Sequence, residues 1–240
     1  MSTRYIITFS KKGYIKYTSH LDMVRLFERV FKRGDIRLDY SQGFNPHPKM
    51  VFAQPLSLGY TSESEQLEIE TKENYAMNVL FDTLGGLLPE GIEIKEIKKM
   101  PPYRPNEGKA SIASKVRAAV FTVEIPVSGE KLQSLELSKL CSDFMAQGSI
   151  TAMKKQKKKK ELKEIDIRPM ILDMKLSQRA GKDEESGEIL HSIIMEAKLA
   201  QGSSANLSPE LLIPPFLEFA GLCCKRSEIE VERKCLIYEE

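Results

Sequence analysis

From Arg4 to Ile97 the hydrophobic period changes in a fixed order, and that order restricts the fold more than any other feature of the chain. Arg4-Tyr-Ile-Ile-Thr-Phe9 is a β-rich run closed by a turn at Lys11-Lys12-Gly13. Tyr14 to Tyr17 reads as a continuation of extended chain. Ser19 and Asp22 fit a capping box, and Leu21, Val24, Phe27 and Phe31 follow at helical spacing until Gly34. Ile36 to Tyr40 is extended. Met50 to Gln54 and Leu56 to Tyr60 read as strand interrupted at Pro55, followed by a turn over Thr61 to Glu65. Gln66 to Thr71 alternates apolar and polar. Asn74 is placed to cap a second helix that carries Met77, Leu80, Phe81 and Leu84. Ile92 to Ile97 alternates again. Strand, helix, strand, strand, helix, strand is the split βαβ, or ferredoxin-like, order.

The second half repeats this order less cleanly. Ala118 to Ile125 is a strand, and a helix from Gly129 carries Leu132, Leu135, Leu137, Leu140 and Phe144. Ser149 to Met153 starts a strand that runs into the lysines Lys154 to Lys160. Arg168-Pro169 turns between extended pieces, Gln178 to Gly187 is a polar hairpin tip, and Ile189 to Leu199 is a strand that contains a structural His191. Asn206 or Ser208 caps a helix from Pro209 to about Leu222, distorted at Pro214-Pro215. Ile229 to Tyr238 closes the chain. The expected fold is α+β: two tandem ferredoxin-like units with antiparallel sheets. Residues 1–99 form the first, 100–113 a Pro-rich connector, and 114–240 the second.

Composition excludes several classes. The 240 residues are 41% hydrophobic, enough for a core, and no apolar run approaches the ~20 residues of a membrane span. The N-terminus goes straight into a strand-like pattern, so no signal peptide is expected, and the four cysteines lack a C-x-x-C pair, so free thiols and a cytoplasmic location are expected. A net charge of +2 leaves attraction for nucleic acid to local patches. There is no phosphate-binding glycine loop and no nucleophile elbow. A metal site from His20, Asp22 and His47 matches no ligand spacing, and no cofactor is expected.

The distinctive stretch is Tyr40-Ser-Gln-Gly-Phe-Asn-Pro-His-Pro-Lys49. Gly43 admits backbone angles other residues resist, and Pro46 and Pro48 fix theirs, so this is a shaped loop. It offers Tyr40, Gln42, Phe44, Asn45, His47 and Lys49 as contacts; the plain alternative is a connector whose aromatics pack down. Arg25, Arg29, Lys32 and Arg33 fall on one helix face near it. Tyr14, Tyr17, Tyr40 and Phe44 are placed either to stack on bases or to join the core. Lys154, Lys155, Lys157 and Lys158 make the densest basic run, which binds phosphate or simply stays solvated. His20, His47 and Lys49 are the candidates if chemistry occurs here, since only His titrates unperturbed near neutral pH. Whether the chain is an enzyme stays open.

Ser19-His20-Leu21-Asp22, the decapeptide, Pro55-Leu56 with Leu58-Gly59, and Glu164-Ile-Asp-Ile-Arg-Pro169 together resemble the bacterial radical SAM-linked protein family, also described as a domain of unknown function (DUF2344). The resemblance covers most of the chain. It implies work beside a radical SAM protein, and gene neighbours of the family suggest RNA or the ribosome; it brings no catalytic residues. The C-x3-C-x2-C cluster motif is absent, so this chain does not itself hold that iron–sulfur centre. The reading is an RNA-binding or substrate-presenting module acting with a radical SAM enzyme or RNA-processing partner on tRNA or rRNA. The alternatives are an RNA-acting enzyme using His20, His47 and Lys49, and a protein-interaction adaptor without RNA contact.

Overall fold

The computed structural model describes residues 2–102, 110–155, 162–182, 189–202 and 205–239. The protein is mixed α+β and divides into two compact units, Met1–Arg117 with Arg233–Glu240, and Ala118–Glu232.

In the first unit β1 (Thr3–Lys11), α1 (His20–Arg33), β2 (Met50–Phe52), β3 (Thr61–Thr71), α2 (Met77–Gly85), β4 (Ile92–Met100) and the short α3 (Ile112–Lys115) follow one another. β1 lies between β4 and β3, β2 pairs with β3, and every one of these pairings is antiparallel. Alternation does its expected work. Tyr5, Ile7 and Phe9 of β1, Leu67 and Ile69 of β3, and Ile92, Ile94 and Ile97 of β4 share a core with Met23, Phe27, Val30 and Phe31 of α1 and Leu80 and Leu84 of α2. Each such side chain contributes roughly 1.5–3 kcal/mol of burial. Ser19 starts α1 as expected: its Oγ accepts from the Asp22 amide at 3.2 Å and donates to the Asp22 carboxylate at 2.6 Å.

Several local expectations are corrected by hydrogen bonds and strand pairings that the local pattern does not reveal. Gly13–Tyr17 is a 3-10 turn rather than extended chain. The buried Lys11 ammonium gathers it, donating to the carbonyls of Thr18 at 3.0 Å and Lys16 at 3.4 Å. Leu56 to Tyr60 is not a strand, and Gly59 donates to the same Lys16 carbonyl at 2.8 Å. Thr61 to Glu65 is the start of β3 rather than a turn, with Ser62 opposite Lys11. Asn74 does not cap α2, where Ala76 stands. Its Oδ1 accepts instead from the Tyr5 hydroxyl at 3.2 Å and the Lys99 ammonium at 2.8 Å.

In the second unit β5 (Val116–Val127, entering it at Ala118) leads to α4 (Gly129–Gln133), α5 (Leu137–Met145), β6 (Thr151–Lys155), β7 (Leu162–Asp166), β8 (Ile171–Lys182), β9 (Ile189–Ala200) and α6 (Pro209–Ala220). β9 lies between β5 and β8, antiparallel to both, and β6 and β7 form a separate hairpin. The single helix expected from Gly129 is two, because Ser134 ends α4. Gln178 to Lys182 extend β8 instead of forming a tip, paired with Ile189 to Ile193 of β9; the rest of that expected tip lies outside the described residues. Ser208 caps α6, Pro214 and Pro215 sit inside it, and Gly221 closes it in the left-handed region at φ 58°. Phe144 anchors this core, its ring centroid 5.3 Å from those of Phe216 and Phe219.

β10 (Glu230–Tyr238) returns to the first unit from Arg233 onward, beside β3. Arg233 is 1% exposed. Its guanidinium grips both carboxylate oxygens of Glu65 and donates to the Gln54 carbonyl at 2.7 Å, while its own carbonyl accepts from Ser62 Oγ at 3.1 Å. Such a pair is costly to break because the surviving charge stays buried. Arg233→Ala is therefore expected to lower unfolding free energy by about 3–5 kcal/mol in denaturant titration. Among the described residues Tyr238 has the one buried side-chain oxygen without a hydrogen-bond partner, and burial pushes its pKa up. Tyr238→Phe is expected to leave stability unchanged or raise it by up to about 1 kcal/mol in the same titration; a loss of similar size would show that the hydroxyl finds a partner in solution.

Candidate functional site

The decapeptide is a clamped hairpin standing on β3. Both of its arms hydrogen-bond to one residue: the Asp39 amide donates to the Glu70 carbonyl at 2.8 Å, and the Glu70 amide donates to the Lys49 carbonyl at 3.0 Å. The arms also bond to each other, Lys49 N–H to the Asp39 carbonyl at 2.8 Å and Ser41 N–H to the His47 carbonyl at 2.9 Å. Tyr40 and Pro48 form a bridge at the neck, and Ser41 Oγ accepts from the His47 amide at 3.0 Å. Gly43 at φ +135° turns the tip, an angle that a side chain would strain.

Lys49 locks the neck. Its ammonium lies 2.6 Å from Asp39 Oδ2 and 2.9 Å from Glu70 Oε2. The Asp39 and Glu70 bonds hold its pKa above the ordinary lysine value, and the Lys49 bond holds the Asp39 carboxyl below the usual carboxylate range. The residues beyond the neck are left to solvent: Gln42, Asn45 and His47 are exposed and Phe44 is fully so. Tyr14, Tyr17 and Tyr40 are 94%, 63% and 44% exposed. The aromatics that the sequence allowed to be either core or contact surface are therefore on the surface.

Beside the neck lies an open cleft of about 580 Å³. Its floor is apolar, from Phe31, Ile36 and Leu38; Arg29 and Lys32 of α1 line it together with Arg37 and Lys72, and Tyr40 and Pro48 of the loop close one end. Four cations thus face two carboxylates, Glu28 and Asp35. Arg37 lies 3.2 Å from Glu73 in an exposed pair, whereas Arg29, Lys32 and Lys72 are in no ion pair among the described residues. Arg37 and Lys72 were not legible as site residues. Their neighbourhood comes from one backbone bond, Lys72 N–H to the Arg37 carbonyl at 2.9 Å, across 35 residues of chain of which neither end carries a motif.

Arg25 shares the exposed face of α1 but not the cleft lining, and pairs with Asp22 at 3.1 Å. The Ser19 hydroxyl holds the Asp22 carboxyl below its usual range, helped by Arg25. His20 packs its ring edge-on to Phe52, centroids 5.3 Å apart, at the rim of an aromatic cluster with Phe9 and Phe27. Lys11 and Glu65 lie behind it around a void of only about 20 Å³. Burial pushes the Lys11 pKa down, against the pull of Glu65. No hydrogen bond or ion pair joins His20, His47 and Lys49 among the described residues, and no group of three or more His, Cys, Asp or Glu side chains able to hold a metal occurs among them.

In the second unit the Glu164–Pro169 stretch is a structural clasp. Asp166 Oδ1 accepts from the amides of Arg168 at 2.9 Å and Ile150 at 3.0 Å, which hold its carboxyl below the usual range. Arg168 donates to the carbonyls of Met145 at 2.8 Å and Ile171 at 3.1 Å. Lys154 is exposed on β6, opposite Lys163, and Lys155 ends that strand; Lys157 and Lys158 lie outside the described residues. No helix among the described residues is long and apolar enough to cross a membrane.

The chain is thus a mixed α+β protein with a clamped, aromatic-tipped loop beside a cationic cleft. The chain belongs to the bacterial family described as "Uncharacterized protein conserved in bacteria (DUF2344)", whose model matches residues 4–209. None of the curated proteins matches it. Among solved structures it is similar to a crystal structure of an unknown protein from Galdieria sulphuraria, with 10% identity, 99% of each chain covered and a TM-score of 0.27.

The lock predicts a pH and mutational signature. With its folded pKa lowered, Asp39 contributes fully above the ordinary value of about 3.9 and loses that contribution as pH falls through the folded value. With its pKa raised, Lys49 contributes fully below about 10.4 and loses it as pH rises through the folded value. Hydrogen-exchange protection of the Ser41 and Lys49 amides should therefore be flat through neutral pH and fall below about pH 4. Lys49→Met should lower it at neutral pH by the equivalent of about 1–3 kcal/mol.

Proposed function

We propose that this protein is an RNA-binding, substrate-presenting module that works with a radical SAM enzyme or another RNA-processing partner on tRNA or rRNA. The observation that carries the reading is the combination in one unit of a cleft with three cations that form no ion pair among the described residues and a clamped loop whose aromatic tip is fully exposed. Cations that form no close ion pair attract phosphate by counterion release, and exposed rings on a held backbone supply stacking surfaces. The partner comes from the resemblance to the radical SAM-linked family and from nothing else in the molecule. We read both units as split βαβ folds. Supporting this, the first has β4, β1, β3 and β2 in that antiparallel order, and the second has β9 between β5 and β8, with helices α4 and α5 following β5 and α6 following β9. The RNA-acting enzyme reading has less behind it, since His20, His47 and Lys49 engage different neighbours.

The adaptor reading has one observation of its own. Phe44, Tyr14, Tyr17, Leu21 and Leu58 are large apolar side chains left exposed, and such surface also suits a protein partner.

RNA binding titrated against salt separates the two. Wild-type protein should bind tRNA or rRNA fragments with a steep loss of affinity as salt rises. Arg29→Gln with Lys72→Gln should weaken binding and reduce the log–log salt slope by about 1–2. No binding at low salt by either protein would remove the RNA reading and leave the adaptor.

A further inference from the structure

We propose that the cleft is a one-nucleotide seat for single-stranded RNA, with the phosphate held by Arg29, Lys32 and Lys72 and the base laid on Tyr40. This rests on the RNA-binding reading and names the form of RNA that the site takes.

Three features of the cleft point to an unpaired nucleotide. The first is its mixed chemistry. The cations line a recess whose floor is Phe31, Ile36 and Leu38, all buried hydrophobic residues of the first unit's core. A duplex offers a protein its sugar–phosphate edge and keeps its base faces stacked inside, so an apolar floor gains nothing from it. An unstacked base brings an apolar face as well as a phosphate. The second is size: about 580 Å³ lies in the range of small-ligand clefts, and suits a nucleotide and its phosphate better than a helical surface.

The third is the preparation of Tyr40. Its backbone is fixed by the bridge to Pro48 and by its amide's bond to Asp39 Oδ1 at 2.9 Å. The ring is 44% exposed where it lines the cleft, and its hydroxyl donates no hydrogen bond within the described residues. A ring carried on a backbone already fixed at the wall of a cationic recess leaves only its side-chain rotamers to be ordered when a base stacks on it. Phe44, farther along the same hairpin and fully exposed, is then placed for the neighbouring base of the strand. Glu28 and Asp35 supply the acceptors of the recess, suited to amino or hydroxyl groups and repelling a second phosphate.

The test is fluorescence anisotropy with a short fluorescein-labelled single-stranded RNA of mixed sequence and the same strand annealed to its complement. Wild type, Tyr40→Ala, Tyr40→Phe and Phe44→Ala are compared at one low salt concentration. The single strand should bind at least about tenfold more tightly than the duplex; Tyr40→Ala should lose about tenfold on the single strand, and Tyr40→Phe should keep wild-type affinity. Circular dichroism checks that each variant is folded. Equal binding of single strand and duplex, or unchanged affinity in Tyr40→Ala, overturns the nucleotide seat while leaving salt-dependent RNA binding intact. Absence of binding by wild-type protein to either form overturns the seat together with the reading on which it rests.

Discussion

One ammonium group holds the candidate site in shape. Lys49 bridges Asp39 on the incoming arm of the decapeptide and Glu70 on β3, and both arms hydrogen-bond to the backbone of that same Glu70. The loop is thereby built as an outward extension of the sheet. Its tip can expose Phe44 without collapsing, because collapse would require breaking the neck. The same constraint sets Tyr40 and Pro48 at the end of the cleft, so the loop and the cationic recess are one construction.

A second set of charges supports the frame from inside. Arg233 and Glu65 are buried together, and the guanidinium also binds the Gln54 carbonyl just before Pro55. Lys11 gathers the turn that leads into α1. These bonds give physical roles to stretches that marked the family resemblance. Ser19 and Asp22 start a helix, the segment around Pro55 is seated on Arg233, and Asp166 and Arg168 clasp a turn in the second unit. In the outer half of the decapeptide, Gln42, Phe44, Asn45 and the His47 ring have no internal task among the described residues.

The first unit was readable in the sequence wherever a local period determined the outcome. β1, α1, β4 and the later part of β3 follow alternation or helical spacing, and Ser19 announced its helix. Reading failed where a partner outside the local pattern overruled local preference. Tyr14 to Tyr17 looked extended but curls over Lys11, Thr61 to Glu65 looked like a turn but pairs with β1, and Asn74 left its capping role for Tyr5 and Lys99. The loop was recognised from its glycine and prolines, whereas its lock was not, because Lys49 read as a free cation until Asp39 and Glu70 were placed beside it. The basic face of α1 was legible; the contribution of Arg37 and Lys72 needed the pairing of their backbones.

Photo-crosslinking with a 4-thiouridine-substituted single-stranded RNA, followed by peptide mapping, tests most directly whether this loop and cleft face RNA. The account predicts adducts on the peptides that carry Tyr40 or Phe44, diminished by competing unlabelled single strand. Adducts confined to the lysine-rich segment between Thr151 and Asp166, or none at all, would contradict it.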